Sequence, residues 1–208
     1  MTRARPLIAR LRRTMKSLRS SSARALRMRD WIAMKCSLTA SSGVQIFRKS
    51  ASAGLLVVQS NLANTYNIFG RREEANRMMR DIYCGSLKLG GEEAYETLTA
   101  ASNYAASLLE LQRHAEAKSV LRKTMPVGRR VLGNSNDITI RMRWTYAEAL
   151  YRDPDATLDD LREAVTTFED AARIARRTFG GAHPLTARIE RGLQNAREML
   201  RRNSSKKN

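Results

Sequence analysis

The stretch that determines the fold lies in the middle of the chain, where residues 98–121 read LTAASNYAASLLELQRHAEAKSVL. Ala101, Ala105 and Leu108 follow one another at intervals of four and three residues, which place them on one face of an α-helix. A polar segment then interrupts this pattern, and Ala117 resumes it. The stretch therefore predicts two amphipathic helices joined by a short turn, which together form a helical hairpin.

The same pattern recurs along the chain with a period of 42 residues. Four positions of one unit reappear 42 residues later in the next, so that Asn61, Glu74, Ala75 and Gly91 become Asn103, Glu116, Ala117 and Gly133. Tyr146 and Ala147 continue the series, after which five additional residues around Pro154 move the next counterpart to Ala164. A period of this length is typical of repeat proteins built from one supersecondary unit.

Alanines at matching positions explain how the two helices of each hairpin can pack. Small side chains let two helix backbones approach closely, while larger neighbours fill the remaining gaps. These alanines are Ala63, Ala105 and Ala147 on the first helices and Ala75, Ala117 and Ala164 on the second helices. Because one hairpin cannot bury both of its apolar faces, consecutive hairpins must stack on a shared core. The sequence therefore predicts an all-α solenoid.

At these residues the chain resembles the tetratricopeptide repeat (TPR) family, and its period is most similar to that of the kinesin light chain type. The first unit matches that pattern at Asn61, Leu62, Ala63, Tyr66, Gly70, Glu74 and Ala75. The third unit matches its closing positions at Phe179, Gly180, His183 and Pro184. The resemblance covers about residues 55–202. It implies a right-handed superhelix of antiparallel helix hairpins, a TPR-like solenoid whose first helices line a concave groove.

We predict the following organisation. The parts of the chain are a basic segment over 1–36, a linker over 37–54, a TPR-like domain over 55–202 and a basic tail over 203–208. Within the domain we predict units over about 55–91, 92–133 and 134–180 and a capping helix over 183–202. Pro126 predicts a kink near Thr124 in a second helix, because proline removes a backbone hydrogen bond. Gln194 occupies the place of an expected small residue, which favours a terminal cap.

The sequence offers no support for catalysis. His114 and His183 lie at helix starts, where structural roles are expected, and no Cys, His and carboxylate share a metal-ligand spacing. No glycine-rich loop follows a strand to hold a phosphate, and no nucleophile turn is present. We therefore expect a protein that is not an enzyme and that has no catalytic, cofactor-binding or metal-binding residues.

The groove implied by the TPR resemblance provides a candidate site for a protein partner. Transferring the usual groove positions onto the aligned units gives Asn61, Asn64, Ser102, Asn103, Arg141, Trp144, Glu148, Arg188 and Arg191. Asparagine amides can hold a peptide backbone, arginines prefer carboxylates, and a tryptophan can anchor an apolar side chain. The partner is therefore expected to be a peptide segment with acidic and apolar residues. The alternative is that Trp144 belongs to the core and the arginines are only solvated.

The net charge of +18 lies mostly outside the repeats. Residues 1–50 contain 13 basic residues and one acidic residue, and the last eight residues contain four basic ones. Residues 51–200 are nearly balanced, with 21 basic and 19 acidic residues. Because the repeat body is almost neutral and the basic arm lacks interleaved aromatic residues, the sequence argues against nucleic acid as the main partner.

The basic front segment admits several interpretations. Its apolar stripe between Leu7 and Leu18 is typical of a mitochondrial or plastid transit peptide over residues 1–35. It also fits an amphipathic helix on anionic lipid or an arm that contacts nucleic-acid phosphates. Residues 23–36 alternatively correspond to the second helix of a truncated preceding unit. A misassigned gene start that adds non-native residues is a further alternative.

Without a transit peptide, the sequence favours a cytoplasmic protein. Two cysteines cannot form a disulfide framework, and no apolar run approaches the roughly 18 residues that span a bilayer. We predict a scaffold that binds peptide segments of partner proteins, with an adaptor role implied by the resemblance to kinesin light chains. Association of two copies through the solenoid ends is a further expectation. The alternative function is a basic protein that binds nucleic acid or a membrane surface through its N-terminal arm.

Overall fold

The computed structural model describes residues 42–205, with side chains from residue 54 onward. These residues form α-helices joined by short loops, and no strand occurs among them. The helices are α1 (Ser42–Ile68), α2 (Arg72–Gly90), α3 (Tyr95–Glu110), α4 (His114–Leu132), α5 (Asp137–Tyr151), α6 (Leu158–Phe179) and α7 (Pro184–Ser205). None of them is long and apolar enough to cross a membrane.

The helices stack in the order in which they follow one another along the chain. From α2 to α7, each helix packs against the next. In addition, α3 contacts α5 and α5 contacts α7, so that first helices of successive hairpins lie side by side. This arrangement confirms the predicted all-α, TPR-like solenoid. It also places the exposed faces of α3, α5 and α7 next to one another, which positions the candidate site.

The predicted alanines occupy the centre of the packing. All six, Ala63, Ala75, Ala105, Ala117, Ala147 and Ala164, are at most 1% exposed. Among them lie larger side chains that are fully buried, including Leu98, Leu108, Leu121, Leu150 and Phe168. The alternation of small and large residues lets the helices approach closely without leaving voids. The core therefore forms where the repeat pattern predicted it.

The last helix contains a small residue that the repeat alignment missed. Gln194 is exposed, but Gly192 is buried two positions earlier and lies against the ring of Phe168. A Cβ atom at position 192 would lie 2.7 Å from two atoms of that ring. α7 therefore packs on α6 by close backbone approach, as the helices within the predicted hairpins do.

The second helices of the three units, α2, α4 and α6, end in the same way. Gly91, Gly133 and Gly180 each follow the last residue of a second helix and have φ values of 79°, 85° and 87°. This left-handed region is strained for a residue with a Cβ atom, which explains why glycine recurs at the end of each unit. At the start of α6, Thr157 and Asp160 form a reciprocal capping box, so Thr157 is the cap of the helix after the insertion.

Helices extend past both ends of the predicted repeat body. Residues 42–54, which fall within the predicted linker over 37–54, belong to α1. An isolated glycine such as Gly54 costs only about 1 kcal/mol in a helix and does not end it. α7 continues to Ser205, where serine hydroxyls donate to backbone carbonyls four residues earlier. The predictions for residues 1–41 and 206–208 lie outside the described residues.

α4 continues through its internal proline. The helix runs from His114 to Leu132 with Pro126 inside it. Two residues later, Gly128 is buried, and its carbonyl accepts a hydrogen bond of 3.3 Å from Oγ1 of Thr139 on α5. α4 is thus continuous across Pro126, and a side chain of α5 bonds to the backbone two residues after the proline. The kink near Thr124 stays a prediction.

A largely buried ion pair attaches the inserted residues of the third unit to α4. Lys118 Nζ lies 2.8 Å from Asp153 Oδ2, and the two side chains are 16% and 15% exposed. The hydrogen bond from Lys118 holds the pKa of Asp153 below its ordinary value. A carboxylate of this kind stabilises the fold above its unfolded pKa of about 3.9, and this stabilisation is lost as the pH falls through the lower native pKa.

Replacing Asp153 with Asn should therefore destabilise the protein by about 1 kcal/mol at pH 7, because Lys118 loses its charged partner. Urea unfolding followed by circular dichroism between pH 7 and pH 3 measures this difference, which should shrink below about pH 4. Asp159→Asn is the control, since that carboxylate is 89% exposed in its pair with Arg162. A constant Asp153→Asn difference across the pH range would contradict the ion-pair explanation.

Candidate functional site

An open cavity of about 410 Å³ is lined by first helices of successive hairpins. Its lining side chains come from α3, α5 and α7, which the stacking brings side by side. On α5 and α7 they recur every three or four residues, so each helix presents one face to the cavity. We call this cavity the large basin. Its lining includes Leu109 and Glu110 from α3, Trp144, Glu148 and Tyr151 from α5, Arg152 directly after α5, and Arg188, Arg191 and Asn195 from α7.

Trp144 joins the large basin to the core. Its indole packs against the main buried cluster, and its N–H is buried without an acceptor among the described residues. The guanidinium carbon of Arg188 lies 4.4 Å from the centroid of the Trp144 ring. A cation in this position is attracted by the face of the ring, which orders an otherwise flexible arginine. Trp144 is therefore both a packing residue and part of the basin wall.

Charges of both signs meet in the large basin. Arg152, Arg188 and Arg191 line it together with Glu110 and Glu148, which leaves an excess of one positive charge. The Glu148 side chain is 18% exposed, and its Oε2 lies 3.5 Å from Nη1 of Arg152. Burial raises the pKa of Glu148, and the positive charges of Arg152 and Arg188 partly oppose that rise. The basin can therefore attract an anion, although it already contains carboxylates.

A second cavity of about 120 Å³, the small basin, adjoins α3. Its polar lining includes Asn64 and Asn67 from α1 and Asn103 and Ser107 from α3. Ala106 and Glu110 line both basins, so the two cavities meet at α3. Amide side chains can both donate and accept hydrogen bonds, as required to bind a peptide backbone.

The site residues predicted from the sequence fall into three groups: those that line the large basin, those that line the small basin and those that line neither. Trp144, Glu148, Arg188 and Arg191 line the large basin, and Asn64 and Asn103 line the small basin. The other three line neither cavity. Ser102 is only 4% exposed, Arg141 pairs with Asp137 at 3.0 Å, and Asn61 is exposed.

Sequence reasoning missed several lining residues that continue the same helix faces. Arg152 lies one turn after Glu148, and Asn195 lies one turn after Arg191. Glu110 lies two turns after Asn103 and lines both basins. The signal for all of them is the i+4 or i+7 spacing from a predicted groove residue.

The repeat character of the chain is supported by comparison with known proteins. Residues 97–137 match the family model of the tetratricopeptide repeat. The match comprises most of α3, all of α4 and the first residue of α5. No curated protein sequence is significantly similar to the chain.

Solved structures share the arrangement of helices. One is a protein of Podosopora anserina assigned as a kinesin light chain with nearly identical TPR-like repeats. The comparison gives a TM-score of 0.63 at 19% identity and covers 71% of this chain and 67% of that one. A variant of the same protein gives the same values. BtubC (BKLC) of P. vanneervenii has a TM-score of 0.53 at 18% identity, with 73% and 62% of the two chains covered. The chain therefore contains a tetratricopeptide repeat and shares its fold with kinesin light chain-like TPR proteins.

Proposed function

We propose that this chain is a non-enzymatic protein-interaction module that binds a peptide segment of a partner protein along α3, α5 and α7. The observation that carries the proposal is the large basin, in which an arginine covers a tryptophan ring and two further arginines lie nearby. Tryptophan and arginine are the side chains that most often dominate binding energy at protein interfaces. This combination supports a partner segment that presents an apolar residue next to acidic ones.

The two basins have complementary roles in this proposal. Arginines of the large basin can form charge-assisted hydrogen bonds to carboxylates of the partner. The amides of Asn64, Asn67 and Asn103 in the small basin can hold the peptide backbone without selecting its side chains. Because the basins meet at Glu110, one extended segment could contact both. The chain would then act as a scaffold or adaptor, as its resemblance to kinesin light chains implies.

The alternative function, binding of nucleic acid or a membrane surface through the basic arm, concerns residues outside the described part of the chain. Within the repeat body, the two basins supply both an apolar surface and fixed polar groups, which are features of peptide recognition. We therefore retain peptide binding as the function of the repeat body.

Arg188→Glu should weaken binding of an acidic and apolar peptide by at least about tenfold, because it replaces an attractive charge with a repulsive one and uncovers Trp144. An array of peptides that combine Leu or Phe with flanking Asp or Glu supplies the probe. Its best binder is labelled with fluorescein and titrated by fluorescence anisotropy. The same peptide with Lys in place of each acid should bind much less tightly.

Arg177→Glu is the matched control, since it makes the same charge change at an exposed position on α6 outside both basins. The control should retain the wild-type affinity to within about twofold after allowance for long-range charge. Equal losses in the two variants would indicate only a general charge effect. Failure of the wild type to bind any acidic and apolar peptide would refute the proposed function.

A further inference from the structure

One of the two carboxylates that line the large basin, Glu148, is largely buried there although the basin is proposed to bind carboxylates. Glu148 is on α5, one turn after Trp144 and one turn before Arg152. Its side chain is only 18% exposed, although carboxylates are rarely buried unless they are well paired. The position of Glu148 therefore requires an explanation beyond solubility.

Glu148 is surrounded by the same cations that would bind a partner. Arg152 approaches it from the C-cap of α5, and Arg188 on α7 is close enough to favour the charged form of Glu148. Glu110 on α3 repels it, and Tyr151 and Arg191 complete the titratable or charged groups that line this basin. Glu148 thus occupies a place where a carboxylate of an incoming peptide would find its counter-charges.

The pairing of Glu148 is weak compared with that of another shielded carboxylate in this protein. Its distance to Arg152 is 3.5 Å, whereas the similarly shielded Asp153 lies 2.8 Å from Lys118. Arg188 stacks on Trp144, and no hydrogen bond joins it to Glu148 among the described residues. Burial is also the main influence on the Glu148 pKa and acts against its charge. At 3.5 Å the hydrogen bond between Arg152 and Glu148 is at the limit of ordinary geometry, so little hydrogen-bond energy is lost when Arg152 turns to another anion.

We propose that Glu148 is an internal competitor for the acidic partner: it partly offsets the positive charges of Arg152 and Arg188 while the basin is empty, and a carboxylate of the partner must displace it to bind. This inference rests on the proposed function and adds a specificity-determining residue to it. The large basin would then discriminate against segments with few carboxylates. Such a ligand would interact with the arginines no more favourably than Glu148 already does.

Removing the charge of Glu148 should therefore strengthen binding. Glu148→Gln keeps the shape of the side chain and is expected to tighten binding of the acidic and apolar peptide about fivefold to tenfold at pH 7. A purely structural role predicts no gain, and a role in holding a basic or amide group of the partner predicts a loss. Glu169→Gln on α6, outside both basins, is the control for net charge and should change the affinity by less than about twofold.

The pH dependence provides a second measurement that needs no variant. Because the pKa of Glu148 is raised, this residue takes up its proton at a higher pH than exposed carboxylates of the peptide do. Lowering the pH should therefore tighten binding to the wild type before the peptide carboxylates lose their charge, and should leave Glu148→Gln almost unchanged over the same range. The affinities of the two proteins are expected to converge.

The test titrates the same labelled peptide into wild type, Glu148→Gln, Glu169→Gln and Arg188→Glu at pH 7 and pH 5, with thermal unfolding to verify that each protein is folded. Tighter binding by Glu148→Gln than by the wild type supports the inference. Unchanged or weaker binding by Glu148→Gln overturns it and leaves the proposed function intact if Arg188→Glu still weakens binding at least about tenfold. Absence of binding in wild type and Glu148→Gln alike overturns both.

Discussion

Replacing Phe168 with alanine is expected to lower the free energy of unfolding by about 4 kcal/mol, the largest effect of any substitution considered for this protein. Phe168 is the largest of the fully buried side chains and belongs to the main core cluster. Its ring centroid lies 5.8 Å from that of Tyr151, and its edge touches Gly192. Removal of the ring would therefore open a cavity between α5, α6 and α7.

Urea unfolding followed by circular dichroism measures this loss. Phe69→Ala is the matched control, since the same side chain is 76% exposed there and should change the stability by less than about 0.5 kcal/mol. Comparable losses at the two positions would contradict the assignment of Phe168 to the core of the last three helices.

Gly192→Ala is expected to destabilise the protein by about 2 kcal/mol, although alanine normally favours a helix more than glycine does. The new Cβ atom would lie 2.7 Å from two ring atoms of Phe168, and that ring is fully enclosed. α7 would have to move away from α6, or Phe168 would have to leave its preferred rotamer. The same unfolding experiment reports the change.

Gly54→Ala makes the same substitution inside α1, where no atom of the described part of the chain lies within 4 Å of the new Cβ atom. It should stabilise the helix by about 0.5–1 kcal/mol, opposite in sign to Gly192→Ala. Phe168→Leu removes part of the ring, so the double variant Gly192→Ala with Phe168→Leu should lose less than the sum of the two single variants. Additive losses would show that the predicted clash does not occur.

The sequence determined the fold to a large extent because packing of this kind needs small residues at fixed places. Ala63, Ala105 and Ala147 recur at the period of the unit and are all fully buried. Gly192 was not predicted as a packing residue, because it lies two positions before Gln194, the residue that aligns with the alanines of the earlier units. An alignment of repeats carries over the spacing of the earlier units, and α7 does not keep that spacing.

The candidate site was less predictable for a related reason. Adjacent residues of a helix differ by about 100° in direction, so Ser102 is buried while its neighbour Asn103 lines the small basin. Arg152 and Glu110 were missed because the transferred positions covered only part of each helix face. Their place in the site depends on how far α3, α5 and α7 remain side by side, which is a property of the stacked helices and not of any single repeat.

The insertion around Asp153 shows that the hairpins of this protein need not have equal lengths. Ala164 is as deeply buried as Ala117 although five extra residues precede it, and the second helices of both units end at a glycine with nearly the same φ. Insertions or deletions between the helices of a hairpin are therefore absorbed locally and do not propagate to the next hairpin. Evolution could therefore vary the length of these loops, and so the surface at the ends of the hairpins. The helices that line the basins would keep their alignment.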